Sequence, residues 1–193
     1  DFYCNLDADV SFEPNYFELL FNEFSKDSSL GIVGGRAYYP ARGKWKPQKY
    51  SNDSVPGFTQ LFKRKCYEQT GGYISFKYGN EDGYVEIKAK SLGWKVKTFD
   101  HILIFHHRIT GTNWGNTLKR KYISGKIEYY FRFYYPYHFL RALSQLFTNP
   151  FIIGTLAYLS GYLFSLLKFE DRINDPFEPQ PDGVGTVFPF WVQ

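Results

Sequence analysis

Methionine is absent from the 193 residues, and cysteine occurs only twice, as Cys4 and Cys66. Two thiols set in apolar or helical surroundings provide neither a cysteine metal cluster nor a disulfide framework, which fits a reducing compartment. Excess charge is also scarce. The formal net charge is +4, too mild by itself to point to nucleic acid. No internal repeat and no signal peptide are visible. The chain opens at Asp1, and Phe2-Tyr3-Cys4-Asn5-Leu6 reads like the middle of a buried strand. We therefore expect a piece of a longer protein.

What is present alternates between strand and helix. Residues 2–6 read as a strand ending at Asp7-Ala8-Asp9. Pro14 suits a helix start, and Phe17, Leu20, Phe21 and Phe24 recur at helical spacing, predicting a helix over 14–25. Residues 30–35 are a short apolar strand, 40–55 a polar loop and 57–62 a further strand. A short helix stops at Gly71-Gly72, and another begins at Asn80-Glu81-Asp82, with Val85, Ala89 and Leu92 as its apolar face. Gly93-Trp94 ends it, and strands follow at 95–99 and 102–105, the last stopping at His106-His107-Arg108. Such alternation with short links indicates an α/β domain, in which ligands gather at the carboxyl ends of the strands. Asp7 and Asp9 stand at one such end, and the His-His-Arg run at another.

Composition changes near residue 112. Lys119, Arg120, Lys121, Lys126, Arg132 and Arg141 are interleaved with Tyr and Phe. That mixture serves RNA or a lipid headgroup surface. The apolar stretch that follows favours the membrane and argues against a nucleic-acid partner. Residues 136–147 alternate like an interfacial helix, and residues 150–167 carry no charge, near the minimum length for a bilayer span. They could span once, turn back as a hairpin or pack as a buried helix. Ala157, Gly161 and Ser165 form a small-residue stripe suited to close packing. The basic flank predicts a cytoplasmic face for the preceding domain. The expected divisions are thus 1–112, 113–170 and an irregular tail at 171–193.

Three constellations can carry chemistry. Asp7 and Asp9, one residue apart at a strand end, can both reach a hard cation such as Mg²⁺ or Mn²⁺, although such pairs also serve as solvated turns or caps. Glu81-Asp82 at a helix start complements the helix dipole, or supplies a general base for a hydroxyl. In His106-His107-Arg108, successive strand side chains point to opposite faces, so one imidazole faces any site. Imidazole suits a metal and guanidinium suits phosphate.

The order Asp7-Ala8-Asp9, Gly71-Gly72-Tyr73, Glu81-Asp82, Lys88, Gly93-Trp94-Lys95-Val96 and a strand ending at His106 resembles bacterial family-2 glycosyltransferases over about residues 1–112. The resemblance implies a GT-A fold, a Rossmann-like nucleotide-diphospho-sugar transferase domain, here its carboxyl-terminal portion. It implies that Asp9 holds Mn²⁺ or Mg²⁺, with Asp7 near the metal and ribose. Asp82 would be the catalytic base, with Glu81 beside it. His106 would be the ligand to metal or diphosphate, with His107 as the alternative. Arg108 and Gly72 would contact substrate. Trp94 would either contact substrate or pack. The implied partners are a nucleotide-sugar donor and a glycan or lipid-linked acceptor, used in inverting transfer at the cytoplasmic face of a bacterial inner membrane for cell-surface polysaccharide or glycoconjugate synthesis. The Gln-x-x-Arg-Trp motif of processive synthases is absent, which favours transfer of a single sugar. A nucleotidyltransferase on a related sheet and a catalytically silent membrane-anchored module are the competing readings.

Overall fold

The computed structural model describes residues 1–41, 43–108, 116–133, 135–147 and 149–173. These fall into two compact units, one within 1–108 and one within 116–173. The expected boundary near residue 112 and nearly all of the expected tail lie outside the described residues.

The first unit is mixed α/β. Its elements are β1 (Phe2–Cys4), β2 (Val10–Phe12), α1 (Tyr16–Lys26), β3 (Leu30–Ala41), β4 (Lys44–Pro47), β5 (Leu61–Lys63), α2 (Arg64–Thr70), α3 (Glu81–Ser91) and β6 (Lys95–His106). The sheet order is β1-β5-β3-β6-β2, with β4 added to β3 as a hairpin. β3 and β6 run parallel, while β5 is antiparallel to both β1 and β3. The strands β1, β3 and β6 therefore share one direction, and their carboxyl ends lie along one edge of the sheet. β2 folds back against the end of β6, pairing Val10 with His106.

Alternation along the strands builds two cores. Leu30, Val33, Leu61 and Ile104 meet Tyr16, Leu20 and Phe24 of α1. Ile32, Phe62 and Val96 meet Cys66 of α2 and Val85 and Ala89 of α3. Neighbours such as Ile32 and Val33 can be buried on opposite sides because side chains alternate across a pleated strand. A side chain such as Leu20, fully buried, contributes about 1.5–3 kcal/mol through its burial.

Several expectations need correction. The span 57–62 is a 3-10 turn at Gly57–Thr59 followed by the short β5, the Thr59 N–H closing the turn on the Pro56 carbonyl at 3.0 Å. The expected loop at 40–55 contains β4, and the strand from residue 30 continues to Ala41. The two strands expected at 95–99 and 102–105 are one, β6, interrupted by a bulge where Gly35 pairs with Phe99 but Arg36 with Leu103. Asp100, within that bulge, is held by Arg36 and Asn52. Leu92 is half exposed rather than part of the α3 face, and Glu86 is buried there. β1 is an edge strand whose Phe2 and Tyr3 stay partly exposed, not the middle of a buried one.

The second unit consists of α4 (Thr117–Tyr130), α5 (Tyr135–Gln145) and α6 (Phe151–Leu167). α4 starts cleanly, since the Asn116 side chain accepts the Lys119 N–H at 2.8 Å. α4 and α6 cross at their glycines. A Cβ on Gly161 would drive into the Tyr122 carbonyl, and one on Gly125 into the Tyr158 carbonyl. Of the anticipated small-residue stripe, Gly161 and Ser165 are buried and Ala157 is half-buried. No described helix is long and apolar enough to cross a membrane. The 17 residues of α6 amount to about 25 Å.

Candidate metal centre and neighbouring carboxylate

Asp7 and Asp9 lie in the segment that leaves β1 and runs along the sheet edge to reach β2. That crossing explains how residues starting on β1 arrive at β6, with β5 and β3 lying between them in the sheet. The His107 N–H donates to the Asp9 carbonyl at 2.9 Å, extending the β2–β6 pairing. Asp9 is thereby fixed beside the end of β6. Its Oδ1 is 3.3 Å from His106 Nε2, and its Oδ2 is 3.1 Å from Arg108 Nε. One ligand atom from each of Asp7, Asp9 and His106 can be chosen so that all three lie within 4.8 Å of one another. Asp7 is exposed, Asp9 is part-buried and His106 is buried. Two carboxylates and an imidazole form a donor set that fits Mn²⁺, or Mg²⁺ completed by water and phosphate oxygens.

His106 is oriented by packing. Its ring stacks on Phe58 with centroids 4.2 Å apart. His107 points to the other face of the sheet, where Nε2 meets Ser11 Oγ at 2.8 Å and Trp45 packs edge-on. The arrangement thus brings His106, Arg108 and the two aspartates together and leaves His107 apart from them.

The 3-10 turn at Gly57–Thr59 ties this group to Asp82. The Phe58 carbonyl accepts the Asp7 N–H at 3.4 Å, and the Gly57 carbonyl accepts Asn5 Nδ2 at 2.5 Å. The Gly57 N–H donates to Asp82 Oδ2 at 3.1 Å. Only glycine permits this approach, since a Cβ at residue 57 would lie 2.6 Å from that oxygen. Asp82 is the second residue of α3, and burial raises its carboxyl above the ordinary range, opposed by the Gly83 and Gly57 N–H groups and reinforced slightly by Glu81. A raised carboxyl in this setting is a stronger proton acceptor once ionised.

Glu81 plays a local part, its Oε1 accepting the Phe76 N–H at 3.3 Å and closing the loop that precedes α3. Gly71 caps α2, and Gly72 follows it against the Tyr67 ring. Trp94 is packing: its indole N–H donates to Gln69 Oε1 at 2.8 Å, and it leans on the core formed by Ile32 and Cys66. It sits at the opposite end of β6 from His106, and a strand of that length extends about 35 Å. The structure thus places Trp94 apart from the group formed by Asp7, Asp9 and His106.

Two residues absent from the sequence reading complete the site's support. Glu86 accepts the Val55 N–H at 2.6 Å, Gln60 Nε2 at 3.0 Å and Ser54 Oγ at 2.9 Å. Burial pushes its carboxyl up to about 8. It fastens the 54–60 segment to α3 one helical turn after Asp82. Phe58, which seats His106, is the other. A signal for Glu86 existed in the sequence: an acid four residues after Asp82 lies on the same helix face.

No family model matches the chain, and no curated protein matches it. Solved structures do. One is the mannosyltransferase PcManGT from Pyrobaculum calidifontis in complex with GDP-Man and Mn²⁺, 15% identical with a TM-score of 0.47, over 83% of this chain and 46% of that one. Another is GalNAc-T7 with UDP, GalNAc and Mn²⁺, 14% identical with a TM-score of 0.48, over 85% of this chain and 37% of that one. The chain thus spans less than half the length of either structure to which it is similar.

Proposed function

We propose that the protein is a metal-dependent glycosyltransferase that moves a sugar, with inversion, from a nucleotide-sugar donor to an acceptor hydroxyl in cell-surface polysaccharide or glycoconjugate synthesis. The observation that carries this reading is the convergence of Asp7, Asp9 and His106 at the sheet edge where the Gly57–Phe58 turn also holds Asp82. The order of motifs along the sequence adds to it.

In this reading Asp7, Asp9 and His106 hold the cation, which when bound would neutralise the diphosphate as it leaves. Arg108, largely exposed, swings from Asp9 to a phosphate oxygen. Asp82 accepts the acceptor hydroxyl proton. The freed oxygen forms its bond to the anomeric carbon, and the bond from that carbon to the diphosphate oxygen breaks, its electron pair leaving with the diphosphate. Glu86 and the Gly57 N–H keep the Asp82 carboxylate in place, so orientation rather than covalent chemistry does most of the catalysis.

The test is diphosphate release by the full-length protein from a panel of nucleotide sugars, with and without Mn²⁺. Asp82→Asn keeps the side-chain shape and removes the base. It should slow turnover by about 10²–10⁴-fold while Mn²⁺ binding is retained. Release that ignores both Mn²⁺ and Asp82→Asn removes the basis for the assignment.

A further inference from the structure

The helical unit is built inside out. Along α6 the buried positions are Gly154, Thr155, Tyr158, Gly161, Tyr162 and Ser165. The outward positions are apolar: Ile152, Ile153, Leu156 and Leu167 are each about 60–68% exposed, and Leu163 is half exposed. α5 repeats the pattern, burying His138, Ala142 and Gln145 and presenting Phe139, Leu140 and Leu143 outward. A helix facing water on its outer side shows the reverse arrangement.

The interior is correspondingly polar. Glu128, 1% exposed, meets His138 Nδ1 at 2.6 Å and Arg141 at 2.7 Å and accepts the Tyr158 hydroxyl. At the carboxyl end of α6, Glu170 meets Lys126 at 2.7 Å and accepts Ser165 Oγ at 2.9 Å. The glycine-to-carbonyl crossing of α4 and α6 is the close backbone approach that helices use where apolar side chains gain nothing by facing inward.

Charge supplies the second argument. Residues 116–173 contain eight Lys and Arg against three Asp and Glu, a net of +5 that exceeds the +4 of the entire chain. No charged residue falls between Arg141 and Lys168. The uncharged stretch carries Leu143 and the outward apolar face of α6, and Arg141 and Lys168 bracket it.

We infer that the α5–α6 face docks in the plane of an anionic lipid bilayer, burying its apolar side chains in one leaflet while exposed cations of the unit such as Lys119 and Lys168 meet the headgroups. The α6 helix is too short to cross, and docking in one leaflet does not require it to. Basic side chains add to the binding through the negative surface potential, and apolar area supplies the part that salt does not screen. This inference stands independently of the glycosyltransferase reading.

The experiment is flotation of the full chain with vesicles of phosphatidylcholine alone and of phosphatidylcholine mixed equally with phosphatidylglycerol. The protein should float with the mixed vesicles and bind them about tenfold or more tightly than the neutral ones, a preference that shrinks in high salt. Leu140→Glu and Leu156→Glu, both on outward positions, should each weaken binding to the mixed vesicles by about tenfold or more with an unchanged circular dichroism spectrum. Lys44→Gln on β4, which lowers the net charge by the same single unit, serves as the control and should leave flotation nearly unchanged. Folded wild-type protein that stays in the aqueous phase with both vesicle types overturns the proposal. So does flotation that the two Leu→Glu variants leave intact. Self-association through this face that lipid does not compete away also overturns it, assigning the face to a second copy of the chain.

Discussion

The sheet unit and the helical unit solve the burial problem in opposite ways. In the first, Leu20, Ile32, Val33, Phe62 and Ile104 are all at or near zero exposure, while the candidate chemistry sits on a polar rim at the strand ends. In the second, the buried positions hold Glu128, His138, Thr155 and Ser165, and leucines and isoleucines cover the outside. The same residue types therefore carry opposite meanings on the two sides of residue 112. Leucine is the core of one unit and the coat of the other.

The sharpest way to break that contrast is one substitution made in both places. Leu20→Glu puts a charge into the sealed core and should cost about 4 kcal/mol or more, unfolding the sheet unit. Leu163→Glu, on the outward face of α6, should change the stability of the helical unit by less than about 1 kcal/mol. Denaturation combined with hydrogen exchange resolved to each unit measures both. Equal costs would erase the distinction.

A somewhat smaller effect sharpens the polar side of the comparison. Glu128→Ala leaves His138 and Tyr158 buried, and Arg141 half-buried, around a missing partner and should cost the helical unit about 3–5 kcal/mol, read in the same denaturation experiment. If the unit is indifferent to it, the polar interior is not what holds the three helices together.

The effect that is smallest per step concerns Glu86, the deeply buried acid among the described residues of the sheet unit. The Glu86 carboxyl is raised by burial to about 8. Below about 4.5, the ordinary value, native and unfolded chains both hold the proton. As pH rises from there, the unfolded chain ionises first, so stability falls until the native carboxyl titrates near 8. The slope approaches about 1.4 kcal/mol per pH unit in that window. Glu86→Gln should flatten that decline, leaving the smaller same-signed contribution of Asp82. Denaturant midpoints at several pH values provide the check.

Local pattern made a good part of this legible. The helical spacing of Leu20 and Phe24 placed α1, and the uncharged run after Pro150 placed α6. Alternation along β6 put His106 and His107 on opposite faces. Other features depend on residues far apart. The bulge that joins two apparent strands into β6 exists because Arg36 and Asn52 capture Asp100 from elsewhere in the chain. The turn at Gly57–Thr59 was hidden because Phe58, Thr59 and Leu61 read as strand residues, and only the approach of Asp82 shows why residue 57 must be glycine. For Glu86, an acid on a helix reads as solvent-facing until its three donors are in view.

By itself the sequence determined which residues are able to do chemistry and the order in which they occur, because side-chain type and local periodicity are written in neighbouring positions. The tertiary structure alone decided the rest. It carried Asp9 across the sheet edge to His106, hung Asp82 from the Gly57 N–H, and turned the leucines of α6 outward. Each of these depends on the packing of segments 20 to 100 residues apart, and no local window contains that information.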